Sequence, residues 1–370
     1  MKVPLFDLRV DHAETRSHLL SNFKKVLNHG KLFSGPEILE FESKIAKLCS
    51  SAYAIGVSSG SSALYLALKA SGIKNGDEVI TTPLTWIITV NAIVSCGATP
   101  VFADVNEDFN IDPASIEKLI TKNTKAIVPV HYAGHMCDMK VITSIAKKYS
   151  LLIVEDAAQA FGASLDKKMA GTYSSAGAFS MNPMKNLGGY GEAGAVVTDN
   201  KEIYEKLLLL RHAGTIKTEE GYTNNCTETS LNHKMDTINA AFLLVALNTF
   251  SAKMRIREKV ATVLNKKLDR FVKIPVKGKN EVHGRYVYPI KVEKRDELML
   301  FLKSKQIETK ILNKPLACDA PIYKKFKTTP VPKSEQLLSQ NLIIPSHEKL
   351  TQEQLDYIGD CFEEFFTKYL

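Results

Sequence analysis

One lysine of the chain lies in a segment whose composition suits a reactive amine. Lys185 follows the strand-like sequence AGAFS and is surrounded by Met181, Pro183, Met184 and several glycines. A lysine shielded in this way can form a Schiff base with a carbonyl compound. A solvated lysine in a surface loop is the alternative that these residues by themselves leave open.

The glycines of the same segment suggest a different chemistry. Gly189, Gly191 and Gly194 spell G-x-G-x-x-G, the pattern that holds a dinucleotide when it follows a strand and opens a helix. Here a loop with Pro183 and Asn186 precedes the pattern, and the β-branched run AVVT follows it as a strand. The context therefore argues against a nicotinamide-dependent oxidoreductase.

Two polar features follow apolar runs that read as strands. The sequence SSGSS at 58–62 has the hydroxyls and the helix N-terminus of an anion cradle, although a serine-rich helix cap is the alternative. Asp156 ends the run LLIVED and is flanked by apolar residues. A buried acid there needs a positive partner or a hydrogen-bond donor. A cap of the next helix is the other reading.

Aromatic rings and histidines complete the set of candidates. Trp86, the only tryptophan, ends VITTPLTW and suits either the core or a stacking surface for a flat ring. His131 and His135 have the spacing of a metal pair on a helix, but VPVHYAGH reads as a strand and turn, so we expect no metal site.

A shielded lysine, a buried acid, a flat aromatic and a phosphate cradle at strand ends together describe a pyridoxal phosphate site.

The elements that position these residues read as an alternation of strands and helices. Strands are predicted at 52–57, 78–82, 100–105, 126–131 and 151–155, and helices at 61–70, 86–95, 113–120 and 139–149. This order predicts an α/β fold, a mainly parallel sheet with helices on both faces in three layers. From about residue 250 the pattern changes to a polar helix at 249–268, an extended segment at 284–292 and further helices at 295–305 and 352–369. We therefore predict a large cofactor-binding domain at 1–250 and a smaller α+β domain at 251–370.

Composition limits the classes of partner. The chain has 370 residues, a net charge of +8 and dispersed basic residues, which fits an anionic small molecule better than nucleic acid. Its six cysteines are scattered without a C-x-x-C pair, as in a reduced protein. The opening MKVPLFDLRVDH lacks the apolar stretch of a signal peptide, and no uninterrupted apolar run would span a membrane. We expect a cytoplasmic protein without membrane or nucleic-acid partners.

Several long motifs match those of a known protein family and occur in the same order along the chain. They include GKLFSGPEILEFESKIA, VSSGSSALYLAL, GDEVITTPLTWIITVNAI, VEDAAQAFGA, FSMNPMKNLGGYGEAGAVVTD and LNHKMDTINAAF. With them the chain resembles the DegT/StrS family of sugar aminotransferases, which have the aspartate-aminotransferase fold (PLP fold type I). The resemblance implies pyridoxal 5′-phosphate as cofactor, with pyridoxamine 5′-phosphate as its aminated form. It also implies L-glutamate as donor, a nucleotide-linked keto-deoxy sugar as acceptor, and a homodimer with shared active sites.

The resemblance also implies a role for individual residues. It implies that Lys185 is the Schiff-base lysine and that Asp156 is the partner of the pyridine nitrogen. Gln159 lies near the phenolic oxygen, Trp86 stacks on the ring, and Asn232 reaches the phosphate of the neighbouring subunit. The implied phosphate ligands are Ser61, Ser62 and Ser180.

The chain departs from the family pattern at a few positions. Ser61 and Ser62 stand where Thr and Ala are usual, Ser230 and Lys234 stand where Gly and Arg are usual, and the histidine common after Pro-Leu is missing from KILNKPLACDAP. These changes leave the identity of the sugar open. Dehydratases of the same fold carry histidine in place of Lys185, and a non-catalytic regulatory relative is the remaining alternative.

Overall fold

The structure is a computed structural model that describes residues 1–219 and 221–369. Elements are numbered in chain order. The α-helices are α1 Ala13–His29, α2 Pro36–Cys49, α3 Gly60–Ala70, α4 Ile88–Ser95, α5 Pro113–Lys118, α6 Met139–Tyr149, α7 Lys201–Arg211, α8 Thr237–Leu268, α9 Arg295–Ser304, α10 Pro332–Gln340 and α11 Gln352–Tyr369. The strands are β1 Tyr53–Val57, β2 Glu78–Thr81, β3 Thr99–Phe102, β4 Thr124–Val128, β5 Leu152–Asp156, β6 Ser164–Leu165, β7 Lys168–Met169, β8 Ala176–Ser180, β9 Gly194–Thr198, β10 Thr215–Thr218, β11 Gly221–Cys226, β12 Glu281–Val282, β13 Tyr288–Lys291 and β14 Asn341–Ile344.

A seven-stranded sheet in the order β1-β9-β8-β5-β4-β2-β3 forms the centre of the molecule. Its strands run parallel except β9, which is antiparallel to both β1 and β8. Alternate residues of the strands face opposite sides of the sheet. Val154 packs on one side with α3 and α7, and Ile153 packs on the other with α2, α6 and α8. The predicted α/β fold, with a mainly parallel sheet between two helical layers, is confirmed.

The local chemistry of the sequence explains several boundaries. The helix predicted at 139–149 is α6, because the Asp138 side chain accepts a hydrogen bond from the Val141 N–H and so caps its first turn. The helix predicted at 249–268 instead begins at Thr237, where the Asp236 side chain accepts from the Asn239 N–H. The prediction of its start was wrong because the apolar first half of α8 has no polar face to mark a helical period.

Helix α8 links the sheet to the C-terminal part of the chain. Its first half packs beneath the sheet through Leu243 and Leu244. Its second half packs through Leu264 and Leu268 in a separate cluster with β13, β14, α9 and α11. Helix α8 is long and apolar enough to cross a membrane by length and composition, and its packing in these two clusters explains that composition. The division into domains 1–250 and 251–370 stays a prediction, with α8 continuous across its boundary.

Candidate active site

A cavity of about 320 Å³ opens at the carboxyl ends of the parallel strands, the edge where open α/β sheets bind ligands. It combines apolar walls with a few polar groups, as small-molecule sites do. Six of the eight predicted site residues line it: Ser61, Trp86, Asp156, Gln159, Ser180 and Lys185. The two that do not are Ser62 and Asn232.

Lys185 lies in the loop that follows β8. Its Nζ atom is 4.1 Å from the centroid of the Tyr286 ring, a distance at which a cation is attracted to the ring face. Among the described residues no carboxylate forms an ion pair with it, so its amine is not held in a salt bridge.

A buried arginine holds the Lys185 loop against the segment that carries Tyr286. One guanidinium nitrogen of Arg257 donates to Asn186 Oδ1 at 3.2 Å and to the carbonyl oxygens of Arg285 and Tyr286 at 3.0 and 3.1 Å. Burying this charge is possible because Glu348 accepts from Arg257 Nε at 2.9 Å. The brace places residues from distant parts of the sequence on one wall of the cavity.

Asp156 ends β5 and is 7% exposed. Thr89 donates its hydroxyl to Asp156 Oδ2 at 2.8 Å, and the Ala158 N–H donates to Oδ1 at 3.2 Å. Burial raises the pKa of the Asp156 carboxyl, while these hydrogen bonds and the nearby Lys185 oppose the rise. A turn rather than a helix follows β5, so Asp156 is not a helix cap.

The sequence predicted a phosphate cradle at the start of α3. Gly60 and Ser61 line the cavity beside Ser180, and the first N–H groups of a helix have no intrahelical partner. A Cβ atom on Gly60 would lie 2.6 Å from Ser180 Cβ, so only glycine lets α3 begin so close to β8. The cradle is therefore built from backbone as well as hydroxyl groups.

Ser62 lies behind this cradle rather than in the cavity. Its hydroxyl is within hydrogen-bond distance of Ser58 Oγ at 2.9 Å, Ser59 Oγ at 3.2 Å and His233 Nδ1 at 2.9 Å. With these three partners it ties the turn between β1 and α3 to the segment that precedes α8.

Trp86 and Gln159 lie on other walls of the cavity. Trp86 is 60% exposed, although an indole of this size is usually mostly buried. The Gln159 side chain accepts a hydrogen bond from the Ala133 N–H at 2.8 Å, which fixes its amide at the turn that follows β4. Trp86 thus contributes exposed aromatic surface to the wall of the cavity.

Asn232 is exposed and does not line the cavity of its own chain. It forms an isolated β-bridge with His212, and its Oδ1 accepts from the Lys234 N–H at 3.2 Å. The neighbouring Leu231 is 71% exposed. Within a single chain, Asn232 therefore lies at the surface beside an exposed apolar residue, and its predicted contact with the phosphate of the neighbouring subunit stays a prediction.

The glycine pattern and the histidine pair have structural explanations. Gly194 begins β9, as the sequence predicted, and a Cβ there would lie 2.4 Å from the Ser59 carbonyl oxygen. His131 Nε2 lies 2.9 Å from Glu155 Oε2, whereas His135 lies between Glu281 at 2.8 Å and Asp108 at 3.1 Å. In the described part of the chain, no group of three or more His, Cys, Asp or Glu residues could hold a metal ion.

These residues fit pyridoxal 5′-phosphate. Asp156 is a buried carboxylate that accepts hydrogen bonds from two neutral donors. A buried carboxylate of this kind suits a protonated ring nitrogen, which would supply a positive partner. The Trp86 ring, the Lys185 amine and the α3 N-terminus offer contacts for a ring face, an aldehyde and a phosphate. Each feature of the cofactor thus has a matching group in one cavity.

Several residues of the site were missed by the sequence analysis. They are Thr89, Tyr286, Lys310 and Asn313. Thr89 follows Trp86 in the motif VITTPLTWIITV, so its position after a predicted strand was a usable signal. The other three come from beyond residue 280, and nothing in their local sequence shows that they approach the sheet.

Comparison with known proteins shows similarity along nearly the whole chain. The model of the DegT/DnrJ/EryC1/StrS aminotransferase family matches residues 14–363. A protein of Geobacillus stearothermophilus named "Pleiotropic regulatory protein" is 34% identical, with 100% of both chains covered. The dTDP-3-amino-3,4,6-trideoxy-alpha-D-glucose transaminase of Streptomyces venezuelae is also 34% identical, over 98% of this chain and 96% of that protein. Among solved structures, NtdA of Bacillus subtilis with bound cofactor PMP has a TM-score of 0.91 and 30% identity, over 99% of this chain and 85% of that one.

Proposed function

Because the chain belongs to the DegT/DnrJ/EryC1/StrS aminotransferase family, we propose that it transfers an amino group from L-glutamate to a nucleotide-linked keto-deoxy sugar. The observation that carries the proposal is that Lys185, Asp156, Trp86 and the start of α3 line one cavity. The name of the Streptomyces transaminase supports the substrate class. The product is an amino sugar for a surface polysaccharide or a related glycan.

The cofactor in this proposal is pyridoxal 5′-phosphate, which supplies an electron sink for the carbanion at the donor Cα when it is bound. The bound PMP of the structurally similar NtdA supports this choice. Lys185 holds the cofactor aldehyde and moves the proton at the donor Cα. Asp156 holds the proton at the pyridine nitrogen, and Trp86 packs on the ring. Gln159 contacts the phenolic oxygen.

The phosphate in this proposal is held by groups from two subunits. Ser61, Ser180 and the α3 N-terminus contact it within one chain, and Ser62 supports them from behind. Asn232 contributes from the partner of a symmetric homodimer, in which each surface meets its own copy and two equal sites result. The exposed Leu231 and Phe33, at 71% and 68%, supply apolar surface for such an interface.

The alternatives within the same fold are less well supported. By family resemblance the sugar dehydratases carry histidine where this chain has Lys185. A regulatory relative without catalysis would be expected to lose Lys185, Asp156 or Trp86 first, and all three line the cavity.

The cytoplasmic location that we propose is supported by six free cysteines, four of them buried, as is usual in reducing compartments.

Replacing the lysine tests the proposed chemistry. Lys185→Ala is expected to give a folded protein that neither turns over nor shows the visible absorption of pyridoxal 5′-phosphate bound to a lysine. The control is Lys201→Ala, which removes a surface lysine paired with Glu205 and should leave both readouts unchanged. Transamination by Lys185→Ala at near the wild-type rate would refute the assignment.

Mixing two inactive variants tests the shared site. Asn232→Asp puts a negative charge against the phosphate, and Lys185→Ala removes the amine. After subunit exchange, half of the dimers are mixed and each has one site without a lesion, so about a quarter of wild-type activity should return. If each site belonged to one chain, every site would keep a lesion. No recovery after demonstrated exchange would therefore exclude the role of Asn232.

A further inference from the structure

One buried side chain of the cavity wall has no hydrogen-bond partner for either of its polar atoms. Asn313 lines the same cavity as Lys185 and Asp156 and is 6% exposed. Neither its Oδ1 nor its Nδ2 has a hydrogen-bond partner in the described part of the chain. Leaving a buried donor or acceptor unpaired costs roughly 1–3 kcal/mol, so such a group in a native structure requires an explanation.

Backbone conformation explains the residue type but not the unpaired amide. Asn313 has a φ of +60°, a left-handed conformation that asparagine tolerates better than most residues. Asn280 has nearly the same φ, +59°, yet its Nδ2 donates to Asp166 Oδ1 at 3.0 Å. The two residues share the backbone conformation and differ in what surrounds the amide. Of the two residues, only Asn313 lines the cavity.

The chemistry of this wall indicates what would satisfy the amide. Asn313 offers one acceptor and two donors without charge, and a sugar hydroxyl is likewise both donor and acceptor. Its neighbour Leu312 is apolar, and the exposed Lys310 on the same wall is better suited to an anionic group. Because the terminal torsion of asparagine is broad, the amide can turn toward a ligand at little cost.

We propose that Asn313 is a specificity-determining residue that forms hydrogen bonds with a ring hydroxyl of the acceptor sugar. This inference rests on the proposed function, because it presumes a sugar in the cavity. The inference places the contact on the acceptor sugar and not on the amino donor, whose carboxylate groups favour a charged partner. A substitution of Asn313 should therefore affect the half-reaction with the acceptor and not the half-reaction with the donor.

The test uses two substitutions that keep the backbone conformation. Asn313→Gly removes the amide while glycine adopts positive φ freely, and Asn313→Asp keeps the shape but loses the donor and adds a negative charge. For Asn313→Gly, the half-reaction with L-glutamate should stay within about twofold of wild type. The kcat/KM of the acceptor half-reaction should fall roughly tenfold, the loss expected for a neutral hydrogen bond. Asn280→Gly is the matched control and should change neither half-reaction.

A panel of nucleotide-linked keto-deoxy sugars that differ by single hydroxyls identifies the contact. Wild type should discriminate against the analogue that lacks the recognised hydroxyl, and Asn313→Gly should lose that discrimination. Calorimetric titration with the amino-sugar product should show the same loss of affinity without turnover. Melting temperatures and cofactor titrations of the apoproteins should match wild type.

Two outcomes would overturn the inference while leaving the proposed function intact. Wild-type kinetics of Asn313→Gly in both half-reactions would mean that the residue serves only the backbone conformation. An equal loss in both half-reactions would place its effect on the cofactor or the fold. Absence of turnover by wild type with every sugar would instead overturn the proposed acceptor, and the inference with it.

Discussion

Replacing Asp156 by asparagine separates an electrostatic role in catalysis from a structural one. The substitution keeps the shape of the side chain and removes its charge. The Ala158 N–H, 3.2 Å away, can still donate to the remaining oxygen. The Thr89 hydroxyl, which donates to Oδ2 at 2.8 Å and lies 2.7 Å from Thr85 Oγ1, can turn to accept from the new Nδ2. The local hydrogen bonds can thus re-form.

The structure therefore predicts a small effect on stability and a large one on rate. One rearranged hydrogen bond changes the free energy of unfolding by about 1 kcal/mol, and removal of a buried charge offsets part of this because desolvation opposes the carboxylate. The rate depends on the charge that holds a proton at the pyridine nitrogen. Loss of one preorganised electrostatic partner typically costs on the order of 10²–10³ in rate, or about 3–4 kcal/mol.

Stopped-flow absorbance of the glutamate half-reaction measures the rate in a single turnover, and thermal unfolding measures the stability. The matched control is Asp138→Asn, since Asp138 is a helix cap and asparagine caps equally well. This control should keep the wild-type rate. A half-reaction of Asp156→Asn within threefold of wild type would refute the electrostatic argument.

Three further predictions concern the cofactor contacts and stability. Trp86 fluorescence should be quenched when pyridoxal 5′-phosphate binds the apoprotein, and Trp86→Ala should weaken retention by about 1 kcal/mol beyond lost area; equal emission of the two forms would exclude stacking. His233→Phe removes the hydrogen bond to Ser62 and should lower the affinity of the apoprotein for pyridoxal 5′-phosphate severalfold more than for pyridoxal; an equal loss would show that the cradle is not involved. Burial lowers the pKa of His135, but its two carboxylate partners outweigh this and raise it from 6.5 to about 9, so the charged form is worth at most about 3 kcal/mol of stability. That stability is fully present below about pH 6.5 and is lost as the pH rises through 9; urea unfolding should show this decline in wild type and a flatter profile in His135→Gln, and parallel profiles would contradict the assignment.

Much of the large sheet and of the site was predictable from short-range patterns. The alternation of apolar runs with helical periods predicted β1 to β5, because buried strands and amphipathic helices differ in period. Their order implied parallel pairing, and parallel pairing brings the ends of β1, β2, β5 and β8 to one edge. Ser61, Trp86, Asp156 and Lys185 follow those ends, so the cavity that contains them could be predicted. Their chemical roles come from the family resemblance and stay proposals.

Only the tertiary structure decided which distant residues complete the cavity. Tyr286 reaches Lys185 through the Arg257 brace, and Asn313 arrives from the segment after α9, contacts that no local periodicity encodes. Ser62 carries a hydroxyl of the kind that binds phosphate, but this hydroxyl lies within hydrogen-bond distance of His233. Ser61 is the one of the two that lines the cavity. The sequence by itself determines which side chains have the chemistry for a site and which strand each of them follows. Which of them meet depends on long-range packing, because side chains far apart in the chain become neighbours only when the core has assembled.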